Sequence, residues 1–111
     1  MVCFIMYKKL FHLVLLTLIG LSLRAHAGVI LQYHHVSETL PAVTSVSEET
    51  FTEHLNYLKN NDFNVIALNE LLDALKQGHT LPDKSVAITF DDGYNNNYDQ
   101  AAPILEKFGY P

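Results

Sequence analysis

Ser85-Val86-Ala87-Ile88-Thr89-Phe90-Asp91-Asp92-Gly93 is the stretch that decides how this chain folds. Six residues rich in β-branched and aromatic side chains predict a strand over 85–90. Asp91 and Asp92 stand where that strand ends. In α/β folds with parallel strands, reactive groups gather at the C-terminal strand ends. Two adjacent carboxylates repel each other, and a cation or a hydrogen-bond donor relieves the repulsion. With a divalent metal, one carboxylate can be a ligand while the other takes a proton from water. Gly93 tolerates positive φ, so the chain can turn sharply and keep both side chains near one place. The ordinary alternative is a surface turn, because Asp and Gly are favoured turn formers. Placement directly after an apolar strand counts toward the site reading.

Working outward, the chain alternates its elements. Val29 to Tyr33 is a short apolar run that reads as a buried strand, with His34 and His35 at its end. Residues 37–47 are rich in Ser, Thr and Pro and read as a loop. Ser47 is a candidate N-cap, with Glu48 and Glu49 in the favourable first turn. Phe51, Leu55 and Leu58 follow at helical spacing. Phe63 to Ala67 is a second strand candidate. Asn69 then caps a second helix with Leu71, Leu72 and Leu75 on its apolar face, and Gly78 suits the position just past its end. After the 85–90 strand and an Asn-rich loop, residues 98–108 read as a third helix with Ala101, Ile104, Leu105 and Phe108 inward. This order of strand and helix predicts an α/β fold with a parallel sheet. Three strands make a poor closed unit, so the expectation is an incomplete domain.

Charge is divided unevenly. The net charge is −5, yet residues 28–111 hold all 12 acidic residues and only four basic ones, Lys59, Lys76, Lys84 and Lys107. An acidic body of this kind excludes nucleic acid as the expected partner, since a phosphate backbone rewards clustered Lys and Arg. The single cysteine, Cys3, precedes the body, so any metal there must be held by Asp, Glu or His. Residues 1–27 read as a signal peptide: Lys8 and Lys9, an apolar run from Leu10 to Leu23, then Ala25-His26-Ala27 as a cleavage pattern. The run is shorter than the ~20 residues that span a bilayer comfortably. The expectation is an exported protein, in the periplasm, outside the cell or on the envelope, with no stable membrane span after cleavage. Retention of the leader as an anchor is the alternative.

Val86 to Tyr94 resembles the first signature motif of the polysaccharide deacetylase family, also called carbohydrate esterase family 4 or the NodB homology domain. The flanks are similar as well: Tyr33-His34-His35-Val36, the Phe51, Leu55 and Leu58 helix, Leu81-Pro82-Asp83-Lys84, and the helix from Ala101 to Pro111. The pattern is nearest to the branch of exported poly-N-acetylglucosamine deacetylases. The resemblance implies a partial (β/α) barrel over residues 28–111, truncated after about three strand–helix units. It implies hydrolysis of N-acetyl groups from an amino-sugar polysaccharide, with Asp91 as general base and Asp92 as a metal ligand. The implied metal is divalent, zinc before cobalt, nickel or iron. The family completes its site with a His-x-x-x-His motif and a later general-acid histidine, and residues 28–111 contain neither.

The histidines that are present are weaker candidates. His34 and His35 are neighbours, so on an extended strand they face opposite sides and cannot easily grip one metal together. Either could line a substrate pocket, as could Tyr94, although Tyr more often packs half-buried with its hydroxyl wet. His54 reads as a surface or packing residue, and His79 as part of a loop. With two carboxylates and no paired imidazoles, zinc lacks its usual three protein ligands. The expectation is an enzyme whose site this chain supplies only in part. The alternative is a carbohydrate-binding or interaction remnant of the same fold. A glycosidase is disfavoured, because its two carboxylates must flank the bond from separate positions.

Overall fold

The computed structural model describes residues 28–111, so the expected signal peptide lies outside the described residues. The sheet core has three parallel strands: β1 (Val29–Tyr33), β5 (Ser85–Phe90) and β4 (Asn64–Val65), in the order β1-β5-β4. Register runs from Val29 opposite Val86 to Tyr33 opposite Phe90 on one side of β5. On its other side, Asn64 and Val65 face Ser85 and Val86. The strand that opened the sequence reading is therefore the central one. Among the described strands it is the longest and the most buried, as a strand covered on both faces must be.

Successive side chains of β5 leave in opposite directions and so build two apolar layers. Val86 packs with Phe51, Leu55 and Leu58 of helix α1 (Glu48–Asn60) and with Ala101 and Ile104. Ala87 packs on the other face with Leu71 and Ala74 of helix α2 (Leu68–Gln77) and with Leu81. Helix α3 (Ala102–Phe108) carries Ile104 into the first layer. Helix α1 starts where Ser47 directs it to: the Ser47 Oγ accepts a hydrogen bond from the Thr50 N–H at 3.0 Å. Gly78 ends α2 at φ 68, a left-handed position that a side chain would strain.

Five expectations need correction. The segment 37–47 is not wholly a loop, because β3 (Ser45–Val46) pairs in parallel with β2 (His35–Val36). Two residues per strand leave no periodicity to read. The second main strand is Asn64–Val65, not the full run to Ala67. Asn69 is not the cap of α2: Ala67 is, without a side-chain bond, while the Asn69 Oδ1 accepts from the Glu70 N–H inside the first turn. Leu72 and Leu75 are exposed, at 37% and 58%, and Ala74 is the buried companion of Leu71. The third helix also begins differently. Asn97–Ala101 forms a π-helical turn before α3, a geometry concentrated at functional sites.

Candidate active site at the end of the central strand

The Asp91 N–H donates to the Tyr33 carbonyl at 2.8 Å, which prolongs the β1–β5 ladder by one residue. The chain then turns within three residues, and the Gly93 N–H donates to the Asp91 carbonyl at 2.8 Å. Asp92, in the middle of this turn, has φ 63, and Gly93 follows at φ 63. Positive φ is uncommon for a residue with a Cβ, and Asp tolerates it better than most. The turn therefore separates the two carboxylates: Asp91 stays beside β1, and Asp92 is carried out to solvent.

Two side chains from the β1 end converge on Asp91. The Gln32 Nε2 donates to its Oδ2. The His34 Nε2 lies 3.7 Å from the same oxygen. Gln32 and His34 are two residues apart, so they emerge on one side of the extended chain. This geometry orients Asp91 from a neighbouring strand. Gln32 was not singled out from sequence, although a lone polar residue two before His34 in an apolar strand is a signal that could have found it.

His35 turns the other way. Its Nδ1 lies within hydrogen-bond distance of the Asn96 side-chain amide, 3.1 Å from Nδ2 and 3.4 Å from Oδ1, and its ring lies against Tyr94 with centroids 3.8 Å apart and planes tilted by 33°. The structure thus separates the adjacent histidines, His34 toward Asp91 and His35 toward Tyr94. An open cleft of about 670 Å³ lies there, lined by His35, Leu40, Gly93, Tyr94, Asn95 and Asn96.

Beneath the site is an aromatic wedge. Phe51 meets Tyr33 edge-on, with centroids 5.0 Å apart, and meets Phe90 at 5.9 Å. Tyr33 and Phe90, the last residues of β1 and β5, stack at 5.7 Å. The Tyr33 hydroxyl pairs with the His54 Nδ1 at 2.9 Å, which gives His54 a definite place at the edge of the wedge. Burial pushes the Tyr33 phenol above its usual pKa. His79 remains in the loop before Leu81.

Among the described residues, no three His, Cys, Asp or Glu side chains converge as a metal would require. Residues 28–111 therefore do not by themselves fit a metal ion. Among the described residues, no helix is long and apolar enough to cross a membrane.

Fold and site together define an α/β domain that carries its polar residues on the loops following a parallel sheet. Residues 78–111, which hold β5, the turn and α3, match the family model for polysaccharide deacetylase. The poly-β-1,6-N-acetyl-D-glucosamine N-deacetylase of Escherichia coli K12 is 32% identical over 89 residues, 78% of this chain and 13% of that protein. The solved structure of IcaB from Ammonifex degensii superposes with TM-score 0.69 at 32% identity, covering 78% of this chain and 36% of that one. A de-N-acetylase from Aggregatibacter actinomycetemcomitans gives TM-score 0.67 at 34% identity, covering 76% and 35%. The chain belongs to the polysaccharide deacetylase family, with the NodB-type fold. It spans about one-eighth of the E. coli relative and about a third of each solved neighbour. Members of this family are in general metal-dependent.

Proposed function

We propose that this chain supplies the first part of a polysaccharide N-deacetylase, which hydrolyses N-acetyl groups on an amino-sugar polymer of the poly-N-acetylglucosamine kind. The observation that carries this reading is Asp91-Asp92 at the end of the central strand, inside the segment matched to the family. Asp91 acts as general base. It takes a proton from the water that attacks the acetamide carbonyl; the C–N bond then breaks to leave acetate and a free amine. Gln32 and His34 hold the Asp91 carboxylate from β1, so its geometry is set before substrate arrives. Asp92 would be one ligand of the family's divalent metal, zinc by preference, in a ligand set that residues 28–111 do not complete. The apolar leader with its Ala25-His26-Ala27 pattern supports export to the envelope, where such polymers lie.

The test is acetate release from N-acetylglucosamine oligomers by the protein expressed from its reading frame to the natural stop, with zinc, cobalt or nickel added. Asp91→Asn should lower turnover by at least ~100-fold, the ordinary size of a general-base contribution. Full activity in Asp91→Asn would remove Asp91 from the reaction. Residues 28–111 alone should release no acetate, and metal-dependent turnover by them would contradict the incomplete ligand set.

A further inference from the structure

We infer that the cleft walled by the His35–Tyr94 ring pair is a subsite for one neutral N-acetylhexosamine ring, adjacent to the ring whose acetamide meets Asp91. The identity of the sugar rests on the N-deacetylase reading above; the binding chemistry rests on the cleft. Gly93 is shared between the cleft and the Asp91–Gly93 turn, so the cleft wall continues directly into the turn that carries the two carboxylates. The volume of about 670 Å³ falls in the range of small-ligand sites. None of the six lining residues is an Asp, Glu, Lys or Arg. An anion or a cation would find no opposite charge, whereas a sugar needs aromatic surface and neutral hydrogen-bonding groups. The cleft supplies both. Tyr94 is 43% exposed and keeps ring surface open, and pyranose C–H groups pack well on such a face. Asn95 and Asn96 bring amides that both donate and accept.

The cleft is also held in shape. The Asn96 side-chain amide hydrogen-bonds the His35 Nδ1 and so fixes the imidazole in place. Tyr94 is braced against the His35 ring at 3.8 Å. His35 itself is fixed by the short β2–β3 pairing opposite Ser45. A platform built this way loses little freedom when a ligand arrives.

The experiment is an amide NMR titration of this chain with a β-1,6-linked N-acetylglucosamine trimer. Saturable shifts should appear at His35 and from Gly93 to Asn97. Tyr94→Ala should weaken binding about tenfold, the loss of one stacking face. Tyr94→Phe, which keeps the ring, should stay within about threefold of wild type and guards against a folding defect. Tyr57→Ala, at an exposed tyrosine of α1 that does not line the cleft, should change nothing. Absence of saturable shifts in that segment, or equal affinity in Tyr94→Ala, overturns the subsite. Either result together with acetate release by the expressed protein leaves the deacetylase reading standing; binding in the cleft without acetate release removes that reading and keeps the subsite.

Discussion

Replacing Asp92 with glycine should make the fold more stable while ending its proposed chemistry. Among the described residues, three that are not glycine have positive φ: Asp62 at 57, Lys84 at 55 and Asp92 at 63. A side chain in the left-handed region costs ~1–2 kcal/mol. Glycine removes that cost but loses ~0.5–1 kcal/mol of backbone freedom on folding. The difference favours Asp92→Gly by ~0.5–1 kcal/mol, or roughly 2–8 °C in Tm for a domain of this size. The Gly93 N–H to Asp91 carbonyl bond that closes the turn uses backbone only, so the substitution leaves it intact. Thermal and urea unfolding followed by circular dichroism measure the change. Asp92→Asn serves as the partner variant: Asn also tolerates positive φ, so stability should stay within ~0.5 kcal/mol while the carboxylate is gone. Asp62→Gly is the control away from the site and should gain stability by a similar amount. A fall in stability for Asp92→Gly beside a gain for Asp62→Gly would refute the reasoning. It would mean that the Asp92 carboxylate stabilises the turn by more than its backbone strain costs.

Two other outcomes follow from the packing. Phe51→Ala should cost ~3–5 kcal/mol, the usual figure for emptying a buried aromatic position. Phe51 is fully buried and touches both Tyr33 and Phe90, so urea unfolding of the variant should begin near zero denaturant, while Phe51→Leu should fold. Alkaline stability should depend on Tyr33. Its folded-state pKa lies above the ordinary value of 10.0, so the folded chain holds that proton more tightly than the unfolded chain does. Stability is therefore unaffected below pH 10 and falls as pH rises from there through the folded value. Urea midpoints on either side of that pH should show the slope, and Tyr33→Phe should flatten it. An unchanged slope would show that the phenol does not control it. Tyr110, whose pKa burial raises in the same direction, would account for any remaining slope.

What could be read from the sequence was whatever one element states by itself. Helix α1 announces its start through Ser47 and its inner face through Phe51, Leu55 and Leu58, because cap and stripe are local patterns. β5 is legible for the same reason: its apolar length and the abrupt change at Asp91 lie within nine residues. The places where the reading failed are decided by distant partners. Leu72 and Leu75 fit a helical stripe as well as Ala74 does, and only the position of Leu81 and Ala87 selects which side is covered. β3 exists because His35 and Val36 accept it as a neighbour, with two residues each and a Ser-rich, Thr-rich approach that reads as loop. The site divides in the same way. Asp91 and Asp92 could be picked out from their place after a strand. Gln32 and Asn96 act on partners some 60 residues away in the chain, and no local pattern marks that.

The order β1-β5-β4 also sets the timetable of folding. Of the described strands β1 is made first and β5 last, yet the described sheet pairs β1 with β5 alone. Pairing across so much chain is slow, because the entropy of closing the intervening segment must be overcome before any ladder bond forms. α1 can form early from local contacts, but Val29 to Leu31 must wait, apolar and unpaired, until their partners Val86 to Ile88 have been synthesised. During that interval the strand is a template for pairing with other chains. A ribosome paused before residue 85 should hold a chain that is helical in part, without the three-stranded sheet, and prone to capture by chaperones.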